Sequence, residues 1–339
     1  MIASWASFCI LAAVVFLAGW RLTVCADRIA ETYRLSRSWV GVTLVGFITS
    51  LPELIASTSA AGLVKVPDMA VGNVFGSVMF NLAILAGCDL ALRKEGGIIR
   101  RVSQQHVISS AFGIMLAAVL LLGLVFPAGL GWGPFHFGLG SLAAILGCLG
   151  GYYVLFRFNV VGRVPGGETG GRGKGGMLLL RFAFYSLAVV LSAIALAKVG
   201  DRAARASGIS HTFFGSLFLA AVTSLPELVV SMTALKLGAW DLLVGNILGS
   251  NMINVSIVAF ADIAYLPAPF RIPANVGWGQ VFTGLMGIVA ASVVIVGLMH
   301  GQEGARPIVR RGKIGLESVV LLLLYMVCMA GLYLGWGRG

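Results

Sequence analysis

The stretch Thr49-Ser50-Leu51-Pro52-Glu53-Leu54 lies inside an apolar run, and the same six residues return at Thr223-Ser224-Leu225-Pro226-Glu227-Leu228. Downstream of each copy stands a second shared string: Gly72-Asn73-Val74-Phe75-Gly76-Ser77, then Gly245-Asn246-Ile247-Leu248-Gly249-Ser250. The glutamates are 174 residues apart and the asparagines 173 apart. A carboxylate, a proline and two hydroxyls are costly at lipid depth, so their duplication at nearly one offset needs a reason. A duplicated half-site for a cation, assembled where two membrane halves meet, supplies one.

Composition sets the bilayer as the solvent. Hydrophobic residues make up 58% of the 339 positions and charged ones 11%, and the mean hydropathy is +0.96. A water-facing surface that apolar would aggregate. The net charge of +11 sits in short loops between apolar runs, which excludes nucleic acid as a partner and points to membrane orientation. The five cysteines are scattered, with no metal-type spacing, and read as small hydrophobes in lipid. The N-terminus lacks a basic leader, so its apolar run reads as a retained first span.

A helix needs roughly 20 apolar residues to cross the hydrocarbon. By that measure the fold class is an all-α polytopic membrane protein of ten transmembrane helices. The first half gives spans near 2–24, 40–63, 69–92, 107–126 and 137–156, and the second near 177–199, 212–237, 242–265, 276–299 and 316–336. Residues 1–161 and 177–339 form two repeats, joined by a Gly-rich cytoplasmic linker at 162–176. With the N-terminus outside, inner loops and span ends collect 18 of the 24 Lys and Arg, so both termini are expected outside a cell or inner membrane. Five spans per half make the repeats inverted, which places a site between them at the midplane.

Pro52 lacks an N–H and clashes with the carbonyl at Ile48, so its helix should kink and free carbonyl oxygens between Gly46 and Thr49. Pro226 should do the same between Ala220 and Thr223. Irregular backbone at this depth survives only where it is buried in protein or lines a cavity. Freed carbonyls, the Thr49 and Ser50 hydroxyls and the Glu53 carboxylate then cluster within a turn or two. Such oxygen-only ligands suit hard cations such as Ca²⁺ or Na⁺. In the second string Asn73, Ser77 and Asn81 recur every four residues as one polar stripe, repeated by Asn246, Ser250 and Asn254. Glycines four apart, Gly72 with Gly76 and Gly245 with Gly249, allow close helix approach.

Charge makes the pattern informative. Glu53 and Glu227, brought together by inverted symmetry, repel one another unless a cation sits between them. One Ca²⁺ neutralises the pair, and so do monovalent ions or protons in its place, which is the chemical basis of antiport. Each string alone has a plainer reading: a protonated glutamate at a kink, hydroxyls bonded to their own helix, glycines that only pack. The duplicated combination is what those readings leave unexplained. Asp68 and Asp241 stand four residues ahead of each Gly-Asn, and Asp89 pairs with Asp262. Falling near span ends, Asp89 and Asp262 read as hydrated end charges. The four histidines lie at loops or span edges and form no cluster.

These residues resemble the two α-repeats of the calcium/cation antiporter superfamily, specifically the sodium/calcium exchanger membrane region of the prokaryotic type. The resemblance covers nearly the whole chain. It implies metal-site roles for Thr49, Ser50, Glu53, Ser77 and Asn81, and for Thr223, Ser224, Glu227, Ser250 and Asn254. It adds the backbone carbonyls of Gly46 and Ala220. Three departures stand out: Ile48 and Val222 replace the usual Gly before Thr-Ser, Val78 replaces the Asn kept at Asn251, and Asn81 and Asn254 are both amides where one aspartate is usual. The resemblance implies a Na⁺/Ca²⁺ antiporter, not an enzyme, with transported ions and no cofactor. Spans one and six would slide as the gate. A proton/Ca²⁺ exchanger is the alternative, and a membrane scaffold or an intramembrane enzyme are the remoter ones. No HExxH, GxGD aspartate pair or Ser/His pairing supports the enzyme. Oligomeric state and stoichiometry are not written in these residues, and the linker is too short for a folded Ca²⁺ sensor.

Overall fold

The computed structural model describes residues 2–92, 97–99, 101–126, 129–132, 135–161, 172–205, 219–300 and 315–335. The first half opens with α1 (Ile2–Tyr33). A broken second span follows, made of α2 (Arg37–Trp39), a π-helical turn (Val40–Val45), α3 (Gly46–Thr49) and α4 (Leu51–Gly62). Then come α5 (Pro67–Ala91), α6 (Gln105–Val125) and α7 (Leu139–Val161). The second half holds α8 (Arg172–Arg205), α9 (Ala220–Thr223), α10 (Leu225–Leu237), α11 (Trp240–Ala264), α12 (Trp278–His300) and α13 (Leu316–Leu334). Among the described residues nine helical stretches are long and apolar enough to cross a membrane. The remaining expected span, 212–237, is described only from Leu219 onward.

The span boundaries move where a helix outlasts its apolar run. α1 continues nine residues past the expected end at 24 because Ile29 and Ala30 still find buried positions on its inner face. Asp27 and Glu31 on the opposite side hold Arg37 at 2.5 and 2.8 Å, tying that extension to the second span. α8 begins at Arg172, inside the expected linker, while 162–171 lie outside the described residues. The all-helical reading did not anticipate one antiparallel hairpin, β1 (Gly129–Trp132) with β2 (Phe135–Gly138), between α6 and α7.

Burial ranks the helices. In α11, 94% of the most apolar window is inside the protein, against 22% in α8. An apolar helix buried on every side is a core element, and one exposed on most sides faces lipid. The halves interlock around this core. α4 and the π-helical turn pack on α11, α9 and α10 pack on α5, α13 packs on α5, and α7 packs on α11. The α1–α8 pair lies against this core from outside, with each helix touching the other half's motif helix.

Four aspartates join the halves at the ends of α5 and α11. Asp68 accepts from the Gly277 amide at 2.8 Å and the Gln280 side chain at 3.2 Å. Asp241 accepts from the Ser103 amide at 2.7 Å and His106 at 3.0 Å. Each therefore holds the start of the fourth span of the opposite half. Asp89 and Asp262, expected as hydrated charges, are instead buried, with 4% and 1% exposure. Asp89 accepts from the Ile98 and Ile99 amides and from Ser318 at 2.6 Å. Asp262 accepts from the Phe270 amide at 2.7 Å and Ser141 at 2.6 Å. Backbone amides of the following loop replace water around each carboxylate, which is why they tolerate burial.

Candidate cation site

The motif helices break at a serine rather than at the proline itself. Ser50 (φ −84°, ψ −2°) separates α3 from α4, and Ser224 (φ −86°, ψ 10°) separates α9 from α10. Pro52 and Pro226 then fall in the first turn of the following helix, where a missing N–H costs nothing. The freed-carbonyl expectation needs a correction at Gly46 and Ala220. Their carbonyls keep the helical bond, from the Ser50 amide at 3.2 Å and the Ser224 amide at 3.0 Å. The Gly46 oxygen also accepts from Ser250 across the halves at 3.2 Å.

Close packing brings the backbones together. A Cβ on Gly245 would stand 2.7 Å from the Ser38 carbonyl oxygen, and one on Gly41 2.6 Å from that of Leu242. One on Gly249 would fall onto the Val42 backbone. The Gly245/Gly249 face therefore seats the π-helical turn directly on α11, and that contact delivers the first motif to the second half's polar stripe.

All ten side chains singled out from the sequence are buried, each 1% exposed or less. Most of them bond across the halves. Ser224 donates to Glu53 Oε1 at 2.8 Å, and Ser77 reaches the same oxygen at 3.5 Å. Thr49 lies 3.2 Å from both Asn246 Oδ1 and the Ser250 hydroxyl. Glu227 is within electrostatic reach of Glu53. Hydroxyls elsewhere in the bundle, such as Thr23, Thr58, Ser186 and Thr283, bond back to their own helix. Ser224 and Ser77 instead face the carboxylate.

Five further residues belong to this cluster and were not among the site residues read from sequence. Asn73 accepts from Thr223 at 3.3 Å and donates to Ser57 at 2.9 Å. Asn246 and Ser231 are their counterparts, and Asn251 accepts from Asn81 at 3.0 Å. Ser57 and Ser231 stand 174 apart, one turn after each glutamate, so the offset that pairs the glutamates also pairs them. Asn73 and Asn246 were visible as members of the polar stripe.

Among the ten side chains read from sequence, six oxygens have no hydrogen-bond partner: Ser50 Oγ, Glu53 Oε2, Asn81 Oδ1, both Glu227 oxygens and Asn254 Oδ1; Ser231 Oγ, of the further five residues, has none either. A buried polar atom left unsatisfied costs about 1–3 kcal/mol, and a charged one more. Six together rival the whole stability of a typical fold, roughly 5–15 kcal/mol. Among the described residues no three His, Cys, Asp or Glu side chains come together. Two carboxylates among neutral hydroxyls and amides therefore define the cluster's charge.

Two inverted, interlocked halves with a polar cluster at paired helix breaks define a secondary transporter of cations. The sodium/calcium exchanger protein family matches residues 3–162 and 177–334, and the chain belongs to that family. It is thus a multi-pass integral membrane antiporter. The inner membrane protein YrbG of Escherichia coli K12 is 28% identical over 258 residues, 70% of this chain and 72% of that protein. The sodium/calcium exchanger MaX1 of Methanosarcina acetivorans is 24% identical over 337 residues, covering 91% and 92%. A structure of the sodium-calcium exchanger NCX_Mj, soaked with 2.5 mM Na⁺ and 1 mM Sr²⁺, superposes with a TM-score of 0.71 at 19% identity. That match covers 97% of this chain and 98% of the other, and it establishes the shared fold.

Proposed function

We propose that the chain exchanges Ca²⁺ against Na⁺ by alternating access, binding the ions between its halves at the membrane midplane. Glu53 and Glu227 are the shared Ca²⁺ ligands. Thr49, Ser50, Thr223, Ser224, Ser77, Ser250, Asn81 and Asn254 complete the shell, joined by the Gly46 and Ala220 carbonyls once the Ser250 and Thr223 hydroxyls that donate to them turn to the ion. The six unpartnered oxygens carry this reading. Ca²⁺ takes six to eight oxygen ligands, and two carboxylates balance its charge.

The repeats span 1–161 and 177–339, and the cytoplasmic linker read at 162–176 gives way to α8 from Arg172, with both termini outside. On the side to which α4 runs, a cavity of about 300 Å³ lies between α4 and α8, lined by Pro52, Ile55, Ser59 and Lys198. Its counterpart between α10 and α1 is filled: a Cβ on Gly19 would stand 2.9 Å from Val229. Ile55 is 38% exposed and its equivalent Val229 5%. We assign this arrangement to an outward-facing state, reversed when α1 and α8 slide across the core.

Proteoliposomes loaded with Na⁺ and diluted into Na⁺-free medium should accumulate radiolabelled Ca²⁺, and Glu53→Gln should abolish the uptake. Uptake by that variant at the native rate would refute the assignment. Asn81 and Asn254 leave two carboxylates where a third could bind another cation, and this favours one second reading, proton/Ca²⁺ exchange. Uptake driven by a pH gradient without Na⁺ selects it.

A further inference from the structure

The two halves of the cluster are not equivalent, and the difference traces to one position. Asn81 and Asn254 correspond at the 173-residue offset, and so do Val78 and Asn251. The backbone carbonyl of Val78 can only accept, so Asn251 turns its Nδ2 toward that oxygen, at 3.5 Å. Asn251 Oδ1 must then face Asn81, whose Nδ2 donates to it at 3.0 Å. With its nitrogen committed, Asn81 leaves Oδ1 as its free group, buried and without a partner. The O and N ends of an amide are assigned from such a network, and here a backbone group anchors it.

Asn254 has no equivalent anchor. The residue corresponding to Asn251 is Val78, and both polar atoms of the Asn254 amide are unpartnered although the side chain is buried. A hard cation is attracted by the amide oxygen and repelled by the NH₂ end, so orientation decides whether an asparagine is a ligand.

We propose that Asn251 is a positioning residue that holds the Asn81 amide with its oxygen toward the cation, making Asn81 a preset ligand and Asn254 an adjustable one. The inference rests on the cation-site reading above. It explains how a site with two amides presents at least one of them correctly before the ion arrives, which lowers the reorganisation that binding requires.

The test is Ca²⁺ uptake into proteoliposomes as a function of external Ca²⁺. Asn251→Val removes the anchor and should raise the half-saturating Ca²⁺ concentration about tenfold with the maximal rate retained. In an Asn81→Asp background the same substitution should shift it less than about threefold, because a carboxylate presents an oxygen either way round. A shift of equal size in both backgrounds would show that Asn251 acts through packing and overturns the proposal, as would an unchanged value in the native background. Val78→Asn, which retains Asn251 and so does not depend on recovering Asn251→Val, supplies the anchor that Asn254 lacks. It should lower the half-saturating concentration, and no change overturns the proposal. Glu53→Gln run in parallel separates the two levels. Native uptake by that variant removes the site reading, whereas lost uptake with unaltered Asn251→Val kinetics removes the positioning role alone.

Discussion

The Ser224 hydroxyl donates a 2.8 Å hydrogen bond to Glu53 Oε1, so the helix break of one half holds the carboxylate of the other. Glu227 has no such partner on either oxygen. A hydrogen bond to a charged group is worth about 1.5–3 kcal/mol, or roughly tenfold or more in affinity. Ser224→Ala should therefore raise the half-saturating Ca²⁺ for exchange by about tenfold or more, measured by radiolabelled uptake. An unchanged value would mean that this bond does not orient a ligand.

Asn73 links two hydroxyls, accepting from Thr223 and donating to Ser57. Asn73→Ala leaves both without that partner, and its flux should fall by about tenfold or more. Ser57→Ala keeps the Thr223 bond intact and should cost less. Parallel flux assays on the two variants check the order, and a Ser57→Ala defect as large as that of Asn73→Ala would contradict it.

Gly249 admits the Val42 backbone, whereas a Cβ on Gly150 would meet nothing within 4 Å. Overpacking a tight contact costs about 1–3 kcal/mol and sometimes more, because neither backbone can yield cheaply. Gly249→Ala should lower the melting temperature of the purified protein in detergent, with Gly150→Ala close to native. Equal melting temperatures would remove the close approach of the two helices from the account.

Asp262 binds the Phe270 amide and the Ser141 hydroxyl at a buried position. Asp262→Ala orphans that amide, at a cost of about 1–3 kcal/mol. Ser141→Ala should destabilise the native protein yet add little in the Asp262→Ala background. Thermal unfolding of the two single variants and the double variant reads this coupling, and simple additivity would show that the hydroxyl and carboxylate act independently.

The exposure difference between Ile55 and Val229 yields a labelling prediction. In a background without the native cysteines, Ile55→Cys should react with a membrane-impermeant maleimide added outside, and Val229→Cys should resist it. Labelling of Val229→Cys alone would reverse the sidedness assigned to the cavity.

Much of this architecture was legible from residue order. The repeated Thr-Ser-Leu-Pro-Glu-Leu and Gly-Asn strings located both helix breaks and the polar stripes, because a proline and a run of small or polar residues stand out against lipid-compatible sequence. Asp89 and Asp262 were misread: proximity to a span end suggests hydration, and only the fold shows loop amides and opposite-half serines taking the place of water. Ser57 and Ser231 were missed because a lone serine in a membrane helix usually bonds its own backbone. The pairing of Asn73 with Thr223, 150 residues away, has no local signature.

Residue order alone settled the membrane class, the duplication, the inversion and the two glutamates, since hydropathy and repetition are properties of the chain as written. Which atoms remain without partners was decided by the packed halves. Hydrogen bonds between helices distant in sequence satisfied Glu53 Oε1 and Asn81 Nδ2, but left both Glu227 oxygens and the Asn254 amide without partners. Directional bonding of that kind depends on positions a few tenths of an ångström apart, and these exist only once both halves are docked.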